Sequence, residues 1–502
     1  MPTADAFDLL VIGGGINGCG IAADAAGRGL RVLLAERDDL ASGTSSASSK
    51  LVHGGLRYLE HYDFQLVRDS LIEREVLLAI APHIVWPLRF VLPHGPGSRP
   101  AWLIRAGLLL YDLLARRRVI PRSRSIDLGT DPAGRPLREG LSRGFAYWDC
   151  WVDDARLVVL NARAAADRGA EILTRFPVVG IEPDGHFWRV RIAGPDGERA
   201  VLARTLVNAA GPWVNRVASL VAAPRITSHP PLRLVKGSHI VVPRVAGADD
   251  AYLLQNPDGR IVFALPFEGR FTLIGTTDVA FTGDPAMVAI DAAEEAYLLD
   301  VASRWFRQPI TAGDIVWRYA GVRPLYDDAS ADPSAVTRDY RLELSAGGTT
   351  PPLLTIMGGK ITTYRRLAEE AMDRLAPHLA RCGPAWTAGA PLPGGDIPGA
   401  DFKAFLARLL AAYPGIAPDR VERLARRHGS LITTVLGDAR TMADLGENLG
   451  GGLTAREVAY FRDHEWARTA EDVLWRRTKV GLHLAPDARE RTARAIERIL
   501  AA

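Results

Sequence analysis

FDLLVIGGGINGCGIAADAAGRGLRVLLAERDDLASGTSSASSKLVHGGLRYLE, residues 7–60, decides the fold. Phe7 to Ile12 is a short apolar run of the kind a buried parallel strand needs. It enters Gly13-Gly14-Gly15-Ile16-Asn17-Gly18, a G-x-G-x-x-G, and a helix is expected from Ile16 to about Arg28. Arg31 to Ala35 reads as a second strand with Glu36 at its end. Gly13 permits the tight strand-to-helix turn, Gly15 lets the backbone approach a pyrophosphate, and Gly18 lets the helix pack close to the strand. The helix N-terminus offers free N–H groups to phosphate, and Glu36 can accept from a ribose diol. The glycine motif alone is weak. With its strands, helix and terminal acid it specifies a dinucleotide-binding fold.

The rest of the stretch is less generic. Ser42, Thr44, Ser45, Ser46, Ser48 and Ser49 crowd together, followed by Lys50, His53 and Gly54-Gly55-Leu56-Arg57-Tyr58. A serine-rich run is usually a linker. Between a nucleotide fold and a cluster of cations, it reads as a second oxyanion-facing loop.

At 502 residues the chain needs two or three domains. Its 48% hydrophobic and 24% charged residues fit a globular protein and exclude disordered and coiled-coil classes. A net charge of +3 is too slight to argue for nucleic acid, and no such partner is expected. Cys19, Cys150 and Cys382 are far apart, so neither a metal site nor a disulfide framework is expected. The N-terminus lacks the basic region of a cleavable signal, and no apolar run approaches the ~20 residues of a membrane span.

A helix is expected from Phe64 to Ala81 and a strand at Phe90–Pro93. PAWLIRAGLLLYDLLARRRVIPRSR, residues 100–124, makes a strongly apolar helix with Arg116, Arg117, Arg118, Arg122 and Arg124 at its end. The plainer reading is a core helix with a cationic C-terminus. The sharper one is a helix lying in a membrane interface. A helix from Arg156 to Arg168 precedes strands at 171–174, 178–182, 187–192, 199–204 and 206–208. From Leu232 to Leu344 short strands predominate, around a helix at 292–306, and an antiparallel sheet fits them. Leu353–Met357, then Gly358-Gly359-Lys360, then a helix from Ile361 repeats the strand, glycine, helix order. Gly383 to Gly399 is the clearest linker, and everything beyond it reads as helical.

The motifs GGGINGCGIAADAAGRGL, TSSASSKLVHGGLRYLE, DCWVDDARLV, NAAGPWVN, KGSHIVVPR, GTTD, AGVRPLYDD, TRDY, GGKITTYR, LPGG and DHEWARTAEDVLWRRTK run collinearly through the chain. They closely resemble the FAD-dependent respiratory glycerol-3-phosphate dehydrogenases, bacterial aerobic type. The resemblance implies an α/β fold. Its Rossmann-like FAD domain would be of the glutathione-reductase/D-amino-acid-oxidase kind, carrying an antiparallel-sheet substrate domain and a C-terminal helical cap. The expected FAD segments are about 5–80, 145–231 and 350–378, and the substrate segments about 82–144 and 232–349. Together they form residues 1–390, with the cap at 391–502. The implied activity is oxidation of sn-glycerol 3-phosphate to dihydroxyacetone phosphate, with electrons passed to membrane quinone. A homodimer bound peripherally to the cytoplasmic face of the cell membrane is expected. An oxygen-using glycerol-3-phosphate oxidase, an amine-oxidising relative and a non-catalytic flavin-holding module are the alternatives.

A dianionic phosphate needs several cations. By resemblance Arg57, Arg323, Arg338 and Lys360 face the substrate, with Tyr58 beside Arg57. His239 in KGSHIVVPR is the first candidate base and His53 the second, with a flavin contact as its alternative role. Arg323 and Lys360 also count as catalytic, Lys360 by stabilising charge on reduced flavin. The expected FAD contacts are Gly13, Gly15, Asn17, Gly18, Glu36, Arg37, Thr44, Ser45, Ser46, Ser49, Lys50, His53, Gly54, Val178, Ala210, Gly211, Trp213, Asp278, Gly359, Lys360 and Thr362. Ala210 stands where the resemblance leads one to expect Thr, and Ser42-Gly43 precedes the TSSASSK run.

Overall fold

The structure, a computed structural model, describes residues 6–502 apart from 96, 196, 224–231, 328–338 and 348–349; at 57 and 61 it describes the backbone only. Arg338 therefore lies outside the described residues. Phe7–Ile12 is buried along nearly its whole length and sits inside a parallel sheet. The order is Arg341–Gly347, Thr350–Met357, Gly197–Asn208, Phe7–Ile12, Val32–Glu36, Glu171–Thr174, and only the first of these runs antiparallel to its neighbour. Leu9, Val11, Leu34 and Leu354 turn to the helices Ile16–Gly27, Asp154–Ala166 and Tyr364–Leu375. Leu10, Ile12, Leu33 and Leu353 turn to Ile181, Trp188 and Val190 of the hairpin Val178–Asp184 and Phe187–Gly194. Burial on both faces explains why these strands are continuously apolar. The two strands expected at 199–204 and 206–208 are one. Its first half pairs with the hairpin and its second half with Phe7–Ile12.

The second sheet is mainly antiparallel. Its path runs Val279–Ala280, Leu232–Pro243, Phe271–Gly275, Ile261–Phe267, Ala251–Gln255, Val85–His94, Arg143–Val152, Leu51–Val52. Trp317–Tyr326 adds to Leu232–Pro243, and Arg124–Asp127 to Arg143–Val152. Arg143–Val152 belongs wholly to this sheet, so the expected change of sheet near 145 comes after Val152. Helix Ala292–Trp305 covers one face through Leu298, Val301 and Ala302.

Helix Ala101–Leu113 covers part of the other face with Ile104, Leu108 and Tyr111. It is not a core helix. Trp102 is 72% and Leu113 68% exposed, and Leu103, Leu109 and Leu110 are exposed beside them. Its arginines follow the helix, and Arg117 is drawn back onto Asp112.

Residues 383–399 act as a strap. Trp386 packs where a Cβ on Gly27 would lie 2.0 Å away, and its indole N–H donates to the Asp24 carbonyl at 3.1 Å. The C-terminal domain has the expected helices, among them Pro418–His428, Ala455–Glu465 and Pro486–Ala501. It also has a small sheet, Asn448–Gly450 with Leu453–Thr454, which three consecutive positive-φ glycines make possible and helical periodicity did not reveal. Buried ion pairs key it to the nucleotide domain. Arg156 grips both oxygens of Glu465, and Arg477 grips Asp39 at 2.6 and 2.7 Å.

His83 is sealed in this joint, and neither ring nitrogen has a hydrogen-bond partner among the described residues. Burial, with Arg156 and His428 nearby, pushes its pKa down to about 3, and burial also lowers those of His239 and His428. An unfolded histidine binds its proton near pH 6.5. Stability is therefore present above about pH 6.5 and is lost as pH falls toward 3, at up to ~1.4 kcal/mol per pH unit for each such histidine. The thermal midpoint is expected to fall steadily from pH 7 to 5, with a shallower slope in His83→Leu. An unchanged slope in that variant contradicts the assignment.

Candidate functional site: a cleft between the two sheets

A cleft of about 440 Å³ runs from the carboxyl ends of the parallel strands to the face of the second sheet. Its first end is the glycine turn. Gly13 has φ +113°, and a Cβ there would lie 2.6 Å from the Ala209 carbonyl oxygen. A Cβ on Gly18 would lie 1.9 Å from the Gly13 oxygen, so Gly18 serves packing and does not line the cleft. Gly15 faces only Ser45 Oγ, which accepts from the Ile16 amide at 3.0 Å. Glu36 closes this end and accepts from the amides of Gly14 (2.6 Å) and Asp38 (2.8 Å). Burial still holds its carboxyl above the usual range. A carboxylate has about four lone-pair positions, so acceptor capacity remains for a ribose. Arg37 lies over the Trp213 ring at 4.4 Å, and Val178, Ala210 and Gly211 share this wall.

The hydroxyl-rich loop runs along the middle. Thr44, Ser45 and Ser49 line the cleft, and Thr44 Oγ1 donates to the Val322 carbonyl at 2.6 Å. Ser46, Lys50 and Gly54 do not line it. Lys50 adopts φ +58° and carries its ammonium under the loop to Asp154 Oδ2 (2.8 Å) and the Ser46 carbonyl (3.0 Å). Its charge is spent inside the protein. The Gly54 amide donates to Tyr111 Oη at 2.9 Å, and Gly55 takes its place at the wall.

The far end gathers His53, Tyr58, Asp278, Arg323, Gly359, Lys360 and Thr362. Arg323 Nη1 donates to Asp278 Oδ1 at 2.6 Å and Nη2 to Thr276 Oγ1 at 3.1 Å. Lys360 Nζ sits 3.8 Å over the Tyr58 ring. The His53 amide donates to Thr362 Oγ1 at 3.2 Å. Asn17 Nδ2 donates to the Gly358 carbonyl at 3.1 Å, tying the first glycine turn to the last.

His239 is placed otherwise than expected. It is buried behind the wall, with Nε2 2.9 Å from Ser49 Oγ and its ring stacked 4.7 Å from Tyr319. Burial, then Arg323 and Lys50, push its pKa well down, and it does not line the cleft. Of the two histidines only His53 lines the cleft. Of Arg57 the structure describes the backbone alone.

Sequence reasoning missed Tyr147, Leu253, Ile261 and Phe263, which line the cleft from the second sheet. They read as core residues of apolar strands. The alternation of Ile261 and Phe263 in IVFALPF was the one available signal. Arg216, one residue beyond NAAGPWVN, was missed as well.

The residues fit FAD. The glycine turn leaves no room for side chains where the backbone must approach pyrophosphate, Gly15, Ile16 and Asn17 at the start of helix Ile16–Gly27 line the cleft, and Glu36 is in place for a ribose. Both ends open into one continuous space, beneath an antiparallel sheet. Fold and cleft define a flavin-dependent oxidoreductase.

Comparison with known proteins agrees. The model of the FAD-dependent oxidoreductases matches residues 8–365, and that of the C-terminal domain of alpha-glycerophosphate oxidase matches 385–502. The chain belongs to the FAD-dependent oxidoreductase family. It is 54% identical to a glycerol-3-phosphate dehydrogenase of Pseudomonas aeruginosa, over 99% of this chain and 96% of that one. It is 52% identical to a D-erythritol 1-phosphate dehydrogenase of Brucella abortus, over 96% of each. The structure of a glycerol-3-phosphate dehydrogenase from Bacillus halodurans complexed with FAD superimposes with a TM-score of 0.76 at 30% identity, over 99% and 95% of the two chains.

Gly13→Ala is expected to yield folded but largely colourless protein. The left-handed conformation costs a non-glycine residue about 1–2 kcal/mol of stability, and the clash with the Ala209 carbonyl displaces the turn from the place a pyrophosphate needs it. The ratio of flavin to protein absorbance measures it, and full occupancy contradicts the role of this turn.

Proposed function

We propose that the chain oxidises sn-glycerol 3-phosphate to dihydroxyacetone phosphate, with electrons passing through FAD to a membrane quinone. The observation that carries this reading is the convergence of Arg323 and Lys360, from separate segments, on the cleft end that also holds His53. Two cations from different elements suit a dianionic phosphate. The name of the Pseudomonas relative supports the substrate. The bound flavin supplies the hydride acceptor. The protein's part is orientation and proton management. Arg323 and Lys360 hold the phosphate, with Arg57 and Arg338 as further contacts from HGGLRYLE and TRDY. His53 takes the hydroxyl proton in place of His239. The FAD contacts are Gly13, Gly15, Asn17 and Glu36 at the ADP half, and Ser45, Ser49, Gly359 and Thr362 toward the flavin.

The Brucella relative supports a second reading, in which the substrate is a four-carbon polyol phosphate. Under anaerobic conditions glycerol 3-phosphate is expected to bleach the flavin, while glycerol and NADH leave it yellow. A higher kcat/KM for D-erythritol 1-phosphate favours the second reading. Stoichiometric hydrogen peroxide with no quinone reduction makes the enzyme an oxidase. Arg323→Ala is expected to lower kcat/KM about ten- to hundredfold with FAD retained, the value of a charged hydrogen bond.

Helix Ala101–Leu113 supports peripheral attachment to the cytoplasmic face of the cell membrane. Its outer face is apolar, Arg116 and Arg118 are exposed beyond its end, and no helix among the described residues is long and apolar enough to cross a bilayer. A homodimer is part of the same proposal. Replacing Trp102, Leu109 and Leu113 together by Ser is expected to abolish sedimentation with anionic vesicles. Unchanged sedimentation places the contact elsewhere.

A further inference from the structure

Two motifs, KGSH and GTTD, contribute only every second residue to the cleft. Gly237, Thr276 and Asp278 line it, whereas Lys236, Ser238 and Thr277 do not. Adjacent side chains of an extended chain point to opposite sides, so the residues left over are turned toward whatever lies behind. What lies behind is Glu294, on the first turn of helix Ala292–Trp305 and only 5% exposed.

Glu294 collects all three. Its Oε1 accepts from Thr277 Oγ1 at 2.6 Å and from Ser238 Oγ at 3.0 Å. Its Oε2 lies 2.7 Å from Lys236 Nζ and accepts from the Asp291 amide at 3.2 Å. Thr277 Oγ1 in turn accepts from the Ser238 amide at 2.9 Å, which closes the ring between the two motifs. Burial works against the Lys236 charge, yet its bonds to Glu294 and Asp291 hold its pKa above the usual range. The cluster is therefore a charged, fully bonded unit inside the protein, the kind that fixes geometry tightly when every member is satisfied.

On the other side of the same backbone stands Arg323. Thr276 Oγ1 and Asp278 Oδ1, which accept from its guanidinium, flank Thr277. The guanidinium lies over Gly237, where a Cβ would come within 2.5 Å of Nη2, and Gly237 sits between Lys236 and Ser238. These contacts to Arg323 each lie one residue away from a contact to Glu294.

We propose that Glu294 is a positioning residue for the substrate: through Lys236, Ser238 and Thr277 it sets the two segments that present Arg323 to the phosphate. The inference rests on the proposed role of Arg323 and deepens it. Glu294 never meets the substrate. It makes the cationic end of the cleft rigid, so that the guanidinium needs no rearrangement when the anion arrives.

Glu294→Gln tests this with little change of volume, and glutamine at this place keeps the helix-capping arrangement with Asp291. The variant is expected to retain FAD and to raise KM for glycerol 3-phosphate, and the inhibition constant of inorganic phosphate, about tenfold, as the loss of one well-placed charged bond does. The change in kcat is expected to be smaller. In an Arg323→Ala background the substitution should add almost nothing, because the group it positions is gone. Thr277→Val, which removes only the hydroxyl linking Glu294 to the turn, is expected to shift KM in the same direction and serves if Glu294→Gln folds poorly. KM within twofold of the parent in both variants overturns the proposal. So does an effect that adds in full on top of Arg323→Ala. If Arg323→Ala itself leaves KM unchanged, the substrate role of Arg323 falls first and this inference with it.

Discussion

The site depends on one close approach. The strand Phe7–Ile12 must turn into a helix at the point where Ala209, at the end of the neighbouring strand, leaves no space. Gly13 solves this by taking a positive φ without a side chain, and Gly18 lets the helix settle within contact of the Gly13 carbonyl. Once the helix is seated there, its first residues line the cleft and Glu36 is within reach of the Gly14 amide. A Cβ at either glycine would push the helix off the sheet, and the phosphate-facing geometry would go with it.

What lies beyond that crossing is assembled from distant segments. Asn17 ties the first glycine turn to Gly358, 341 residues later. Thr44 donates to Val322, and the Ser48 carbonyl accepts from Tyr319 Oη at 2.8 Å, so the hydroxyl loop is stitched to the strand that carries Arg323. The glycine-turn end and the cationic end of the cleft are thereby held at a fixed separation. Catalysis by orientation needs this, because binding energy spent on rearranging the site would be lost to the reaction.

The nucleotide half was almost wholly legible in the sequence. Its signals are local: an apolar strand, glycines at fixed spacing, a helix and an acid. The FAD-dependent oxidoreductase fold with its C-terminal helical domain was legible from the resemblance. Side-chain direction within the motifs was not. Lys50 and His239 sit in segments that do reach the cleft, yet one turns to Asp154, 104 residues away, and the other stacks on Tyr319. Nothing within a few residues of either betrays those partners. Helix Ala101–Leu113 shows the converse. Its composition suits a core, and only the absence of a covering element among the described residues on one face makes it a surface.

The C-terminal domain is more than a lid resting on a finished enzyme. Arg477 and Arg476 both reach Asp39, three residues past Glu36, and the intervening loop is held on its other side by the Ala41 amide, which donates to the Gly14 carbonyl at 3.0 Å. Asp39 is buried, so a single carboxylate meets two arginines out of water. Such a pair adds little net stability over apolar packing, but breaking one side of it strands a charge and costs about 3–5 kcal/mol. The ion pairs are therefore poor glue and good registration. They fix where the loop after Glu36 lies relative to the glycine turn, a placement that the strand pairing of the parallel sheet does not itself set.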